Sequence, residues 1–291
     1  MSRVHVSASR RIFVVLNTFF LCLLTIATLY PFLFVLVASL SGNGYVMRGE
    51  VTIIPRGFTI DAYKAVFEYP MFFKSYQNTL IYTVVGTSVN VMLTVSGGYC
   101  LSRKHFYGRG PVTFLIACTM WLNAGIIPTF LTVKSYGLYD SWLALILPGA
   151  VWTYNLLIMR TFFSQIPDEM EESAKIDGAS ELQTMVRIFL PLSIPSVVTI
   201  MLFYAVGHWN NYLNALIYLN TEAKFPLQMI LRKIVLQNQL TDVASYSEAM
   251  NTLSETLKYA TIIVACLPII CLYPFLQRFF IKGVMIGAIK G

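Results

Sequence analysis

Within seven residues, His208-Trp209-Asn210-Asn211 and Asn214 set an imidazole, an indole and three carboxamides into a run that is otherwise apolar, with Tyr212 among them. Aromatic rings beside amide and hydroxyl groups suit sugars, whose faces are apolar and whose edges are polar. Such polarity is expensive inside an apolar segment and normally faces a bundle interior or a watery path. Two readings stay open: these residues line a path for a polar solute, or they form an interfacial aromatic belt and helix–helix hydrogen bonds. Asn90 and Thr94, in another apolar run, are candidates for the same interior.

A second stretch is charged and strongly patterned. Glu172–Pro191, ESAKIDGASELQTMVRIFLP, lies between two apolar runs and must sit in water. Pro167 suits the first position of a helix. Asp168, Glu169, Glu171 and Glu172 suit the positive end of its dipole. Asp177-Gly178 signals a turn in which the glycine takes the left-handed conformation that ends a helix. Ser180 with Gln183 is a capping-box pattern for a second helix, which Pro191 stops. Ser173, Ala174 and Ala179 are small enough to let another backbone approach. The stretch is either a well-capped loop that packs on its own chain or a docking element for another one.

Catalytic chemistry finds no such footing. His5 and His105 stand in basic patches, and His208 has no carboxylate at helical spacing, so neither a metal site nor a Ser/His/Asp arrangement can be assembled. The five cysteines, Cys22, Cys100, Cys118, Cys266 and Cys271, fall in apolar runs without a C-x-x-C pair and read as small packing residues. Ser96-Gly97-Gly98 is no phosphate cradle, because no Gly-Lys-Ser/Thr sequence occurs anywhere. No catalytic residue, metal ligand or bound cofactor is expected.

Composition sets the elements that carry these stretches. The chain is 56% hydrophobic and 12% charged, with a mean hydropathy of +0.65. Soluble domains carry about 25% charged residues, so an all-α, polytopic membrane protein is predicted. A helical span needs about 20 apolar residues. Six are predicted, at about 12–39, 78–101, 111–131, 142–162, 192–219 and 257–276. Pro31 lies inside the first, where proline commonly kinks a membrane helix. The first run is too long for a signal-peptide core and lacks a clear cleavage site, so it is expected to be retained. Gly86, Ser88, Ser96, Gly97 and Gly98 allow close helix packing in the second.

Residues 41–77 and 220–256 are predicted to lie outside the membrane. The former carries a short helix near 59–67, capped by Thr59 or Asp61; the latter is polar and mixed. Its Lys224, Arg232 and Lys233 either attract an anionic ligand or form a solvated face. The formal charge of +7 is explained by loop bias and anionic lipid, without nucleic acid. Compact clusters at Arg10-Arg11, Arg103-Lys104 and Arg278 to Lys282 put both termini and residues 166–191 in the cytoplasm. No Asp or Glu lies deep in a span. Ion-coupled secondary carriers, the competing class, usually keep an ionisable group near the midplane, so the energy source is expected outside the spans.

The charged stretch resembles the E-A-A signature of membrane subunits of ATP-binding-cassette importers: E-A-A, three residues, Gly, nine residues, I-x-L-P. Glu172-Ser173-Ala174 stands for E-A-A, Gly178 for the glycine, Ile188 for the isoleucine and Leu190-Pro191 for L-P. Asp177 and Ala179 match the common D-G-A core. Ser173 is the one departure, small for small. The tail from Lys282 to Gly291, Asn78-Thr79-Leu80 and Trp209-Asn210 are similar to carbohydrate permeases of the maltose-importer type, in the shorter six-span subunit. Within that family the likeness is greatest to the branch of the lipoprotein-and-oligosaccharide permeases and the alginate importer.

The resemblance implies a type I importer permease fold over residues 1–291, in the cytoplasmic membrane. It implies that Glu172 and Gly178, with Asp177 and Ala179 beside them, seat in a separate ATPase. A homologous second permease, two ATP-binding subunits and an extracytoplasmic sugar-binding protein would complete the assembly. The substrate would be an oligosaccharide, an acidic alginate-like one included. By the same resemblance, residues 220–256 would reach into the binding protein, and 283–291 would touch the ATPase.

Overall fold

The computed structural model describes residues 8–122, 124–240 and 254–288. His5, residues 241–253 of the second long loop and residues 289–291 of the tail lie outside them. Among the described residues every regular element is helical. The chain divides into two compact units, residues 1–69 with 232–266 and residues 70–231 with 267–291.

The first unit opens with α1 (Ala8–Ser39), whose large apolar side chains from Ile12 to Leu33 are exposed, as suits a helix in lipid. The chain then turns through α2 (Asn43–Met47) and α3 (Asp61–Glu68). The loop closes on itself: the Gly42 N–H donates to the Arg56 carbonyl at 2.9 Å and the Thr59 N–H to that of Leu40 at 3.1 Å. Thr59 Oγ1 accepts from the Asp61 N–H at 3.1 Å, so it supports the start of α3 from just outside the helix. The last helix (Ser254–Ala288, numbered α14 below) borrows its cap from far away in sequence. Buried Asn43 accepts the Glu255 and Thr256 N–H groups at 3.1 and 3.2 Å, satisfying two donors that a helix start leaves orphaned.

The second unit is built on α4 (Phe72–Ser102), α7 (Thr153–Ser164) and α11 (Ile194–Trp209), with α4 packed along both of the others. Its core joins Val95 and Tyr99 of α4, Met159 and Phe163 of α7, Ile200 and Tyr204 of α11, and Phe189. Glycine lets the helices close: a Cβ at Gly98 would lie 3.0 Å from Met159. Short helices α5 (Arg109–Cys118), α6 (Ile126–Ser135), α8 (Asp168–Ile176), α9 (Glu181–Thr184), α10 (Leu190–Leu192) and α12 (Leu213–Tyr218) fill in around this frame.

Helices α1, α4 and the 255–274 part of α14 are long and apolar enough to cross a membrane, and two bent pairs raise the number to as many as five among the described residues. The remaining apolar runs are broken, each for a visible reason. Residues 111–131 form α5 and the start of α6, separated at Gly125, whose φ of 85° is open mainly to glycine. Residues 142–162 begin as two tight 3₁₀ turns around Pro148, which has no N–H for a regular helix, and bend by 51° into α7. Residues 192–219 hold α11 only to Trp209. There the Asn210 side-chain amide donates to the Val206 carbonyl at 3.0 Å, competing with the backbone ladder. The region 220–256 is less polar than its composition suggests. It contains α13 (Leu227–Leu240), whose Leu227, Ile230, Leu231 and Ile234 are buried at helical spacing.

Candidate functional sites: a charged turn and a polar cavity

The charged stretch folds as helix, turn, helix. α8 runs from Asp168 to Ile176 with Pro167 at its cap, and Asp168, Glu169 and Glu171 occupy its first turn. It ends in a Schellman closure. The Ala179 N–H returns to the Ala174 carbonyl at 2.9 Å and the Gly178 N–H to that of Lys175 at 3.1 Å. This closure requires a positive φ at residue 178, and Gly178 has +77°. Ser180 and Gln183 then form the reciprocal capping box that opens α9. A wider π-helical turn, Met185–Phe189, follows, and the chain bends by 87° at Ser193 into α11.

One face of this element is locked to the end of α4. Arg103 donates to Glu171 at 2.5 Å, to the Phe163 carbonyl at 3.1 Å and to Ser102 Oγ at 3.0 Å, and both charged side chains are nine-tenths buried. The guanidinium lies 4.1 Å above the Phe189 ring. Lys175 bridges Glu171 at 2.6 Å and Glu181 at 3.2 Å, the Tyr99 hydroxyl donates to Glu181 at 2.7 Å, and Lys104 pairs with Asp168. Burial pushes the Glu171 carboxyl up, but the bonds from Lys175 and Arg103 outweigh it and hold it below the usual range. The Glu171 contacts in turn push the Lys175 ammonium up.

The other face is open. Glu172, Ser173, Asp177, Gly178 and Pro191 are exposed; Ala179, Ile188 and Leu190 are half-buried; Ala174 is buried. Ile188 and Leu190 pack against the core below. Ile176, 86% exposed, and Leu182, 66% exposed, stand on either side of Gly178 in sequence and were not singled out by pattern. Glu171 and Arg103 are read from the sequence only as a helix-dipole acid and part of a basic cluster; their pairing is not visible there, although the Glu171–Lys175 spacing signals a helical ion pair.

A cavity of about 450 Å³ opens between the 3₁₀ turns before α7 and the break after α11. His208, Asn210, Asn211 and Asn214 line it, joined by Trp152, Tyr212, Tyr218 and Thr129. Trp209 is not among its lining residues: it is buried and meets the Tyr76 ring edge-on at 5.9 Å. Asn90 and Thr94 lie behind the wall. Asn90 donates to the Gly149 carbonyl at 3.0 Å, and Thr94 shares a 2.7 Å hydrogen bond with the Tyr204 hydroxyl, which also accepts the Trp152 N–H at 2.9 Å.

At the far end of the same two wall segments sits a knot around Asp140. Its carboxylate accepts the Asn220 and Thr221 N–H groups at 2.9 and 3.0 Å, the Thr221 hydroxyl at 2.6 Å and the Lys224 ammonium at 2.8 Å. The Lys224 and Thr221 bonds hold this carboxyl well below the usual carboxylate range. Asp140 itself adopts φ 54°, a conformation non-glycine residues rarely take and one that clusters at functional sites. Lys224, a sequence candidate for attracting anions, is thus committed to an internal carboxylate.

α4 connects these features. Asn78, Tyr82, Gly86, Asn90, Thr94, Gly98 and Ser102 recur every four residues, all buried. In order they meet the carbonyls of Ala223 and Phe225, that of Lys224, the His208 ring, the Gly149 carbonyl, Tyr204, Met159 and the Arg103 guanidinium.

Residues 4–286 match the family described as binding-protein-dependent transport system inner membrane component. The chain is 43% identical over 290 residues to Protein LplC of Bacillus subtilis, covering 99% of this chain and 98% of that one. It is 42% identical over 286 residues to the polygalacturonan/rhamnogalacturonan transport system permease protein YtcP of the same organism, covering 97% and 99%. The fold superposes on a chain of a bacterial ABC transporter involved in the import of the acidic polysaccharide alginate, with a TM-score of 0.86, 34% identity, and 96% and 100% coverage. The family match and the helical frame agree: this chain belongs to the binding-protein-dependent transport system inner membrane components, the non-enzymatic permease subunits of ABC transporters.

Proposed function

We propose that the chain forms half of the translocation path of an ATP-driven, binding-protein-dependent importer of oligosaccharides, and that residues 166–191 couple it to a separate ATPase. The observation that carries this reading is the two-faced build of the charged turn. Its inner face is locked by the Arg103–Glu171 pair, and its outer face offers Glu172, Ile176, Gly178 and Leu182 to a partner. A force applied to that outer face is delivered to α4 through buried charge instead of being lost in a loose loop. The names of the similar permeases support a carbohydrate substrate, and two of them support an acidic one. In this reading the termini and residues 166–191 are cytoplasmic. A second, homologous permease supplies the other half of the path, two ATPase subunits bind ATP, and the cavity beside His208 lies on the sugar's route.

The test is Gly178→Asp in the complete importer. A Cβ at residue 178 meets no atom within 4 Å, but φ +77° strains any side chain there, so Ile176→Ser, on the same exposed face and free of that strain, is read beside it and is expected to weaken coupling as well. Uptake is expected to fall at least tenfold, with ATPase subunits lost or uncoupled, while the permease still reaches the membrane. Unaltered uptake and coupling would remove the docking role. Uptake by this chain alone, driven by an ion gradient without any ATPase, would replace the reading with that of a secondary carrier.

A further inference from the structure

We infer that the cavity beside α11 is a sugar subsite that reads hydroxyl edges and a ring face but not carboxylate charge; this rests on the importer reading above. Its lining carries no Lys, Arg, Asp or Glu among the described residues. Lys224, farther along the wall segment that follows Asn214, is tied to Asp140. His208, the lining residue that could become cationic, turns its Nε2 towards Asn90 at 3.4 Å, into α4. What the cavity does offer is neutral. Trp152 supplies an indole that is two-fifths exposed and braced from behind by Tyr204, at 5.0 Å between ring centroids, and by the close approach of Gly207. Among the described residues no hydrogen bond ties up the Asn211 or Asn214 side-chain amide, and both line the same space. Each amide has two donors and one acceptor oxygen, matching hydroxyls that both give and accept. The volume falls within the range of roughly 300–1,000 Å³ typical of small-ligand sites.

An uncharged subsite has a consequence for an acidic oligosaccharide. Its carboxylates are neutralised elsewhere, by the second permease, by the binding protein or by water, and this half of the path holds the sugar by ring and hydroxyls alone. Weak neutral contacts also let the sugar leave, which a fixed cation would slow.

The test uses the assembled importer in proteoliposomes, with its binding protein and a uronic-acid tetrasaccharide as the probe. Asn211→Ala and Asn214→Ala are each expected to raise KM about fivefold, the size of one neutral hydrogen bond, with kcat little changed. Trp152→Ala is expected to raise KM about tenfold, and Trp152→Phe to restore most of it. The charge arm is Asn214→Asp. In an uncharged subsite its KM stays within a few-fold of Asn214→Ala, because a carboxylate still accepts from hydroxyls. A KM for Asn214→Asp tenfold or more above that of Asn214→Ala means a substrate carboxylate sits here, and overturns the inference. So does an unchanged KM in both alanine variants. Absence of ATP-dependent uptake by the unaltered complex is a different failure, which overturns the importer reading itself.

Discussion

Gly86 is the space that His208 occupies: a Cβ on residue 86 would lie 2.5 Å from His208 Nε2. Gly86→Ala therefore forces the imidazole out of its slot in a packed helix pair, an overpacking cost of about 1–3 kcal/mol. Thermal unfolding of the purified complex should show the loss. The double variant Gly86→Ala/His208→Ala should regain most of it, since the residue that clashes is gone. A double variant no more stable than the sum of the two singles would mean the pair does not interact.

The buried Arg103–Glu171 pair should be costly to break from one side. Arg103→Met removes one of the two cations that hold Glu171 in a nearly closed site while Lys175 stays at 2.6 Å, so about 2–3 kcal/mol is expected, less than for a buried charge left with no partner. Thermal unfolding measures it. The pH dependence has a definite sign. The Glu171 carboxyl sits below its ordinary value of 4.5 in the fold. The stability it contributes is therefore fully present above about that pH and disappears as the pH falls through the lower, folded value. The acid loss should be smaller in Arg103→Met.

Asp140 separates two effects in one residue. Asp140→Ala loses every side-chain bond to Asn220, Thr221 and Lys224, keeping only the Lys224 bond to its backbone carbonyl, and keeps the unfavourable φ, so a loss of about 3 kcal/mol is expected. Asp140→Asn keeps an acceptor oxygen and tolerates the left-handed conformation, so about 1 kcal/mol is expected. Because Lys224 and Thr221 hold the Asp140 carboxyl far down, the difference between wild type and Asp140→Asn should be flat from pH 8 to pH 5. A slope in that window would mean the carboxylate is not held as described.

Trp209 should behave as packing and not as a contact for solute. Trp209→Ala removes a buried ring that leans on Tyr76, worth about 3–5 kcal/mol. The yield of assembled complex should drop, while KM per assembled complex stays near wild type. A selective rise in KM at normal yield would return Trp209 to the path.

The charged turn was the most legible part of the sequence, because its signals are local. Asp177-Gly178 and Ser180 with Gln183 each act within a few residues, so spacing alone predicts the closure and the cap; Pro191 does not stop the second helix, which passes through it to Leu192 and bends only at Ser193. The lock beneath it was not legible: Arg103 and Glu171 are 68 residues apart. The apolar runs were found by hydropathy, which sums over a window and cannot see that Pro148, Gly125 or the Asn210 side chain interrupts a helix inside it. Those interruptions make the cavity. Trp152 reaches it because the turns around Pro148 re-aim the chain, and Trp209 misses it because, as the last residue of α11, it keeps its ring on the buried side.

The recurrence of buried small and polar residues along α4 has a geometric consequence. Four residues exceed one helical turn by about 40°, so the row from Asn78 to Ser102 precesses through roughly two-thirds of a circle over its length. No single neighbour can follow such a row, which is why it is met by a succession of different segments from residue 225 to residue 103. The helix is thereby fixed in phase as well as in position. Deleting one residue at its middle would rotate everything beyond by about 100° and shift it by about 1.5 Å. Asn78 and Tyr82 would keep their carbonyl partners while Arg103 swung away from Glu171. Substitutions on α4 should thus be tolerated one contact at a time, whereas a single-residue insertion or deletion at the middle of α4 should separate the cavity from the charged turn in one step.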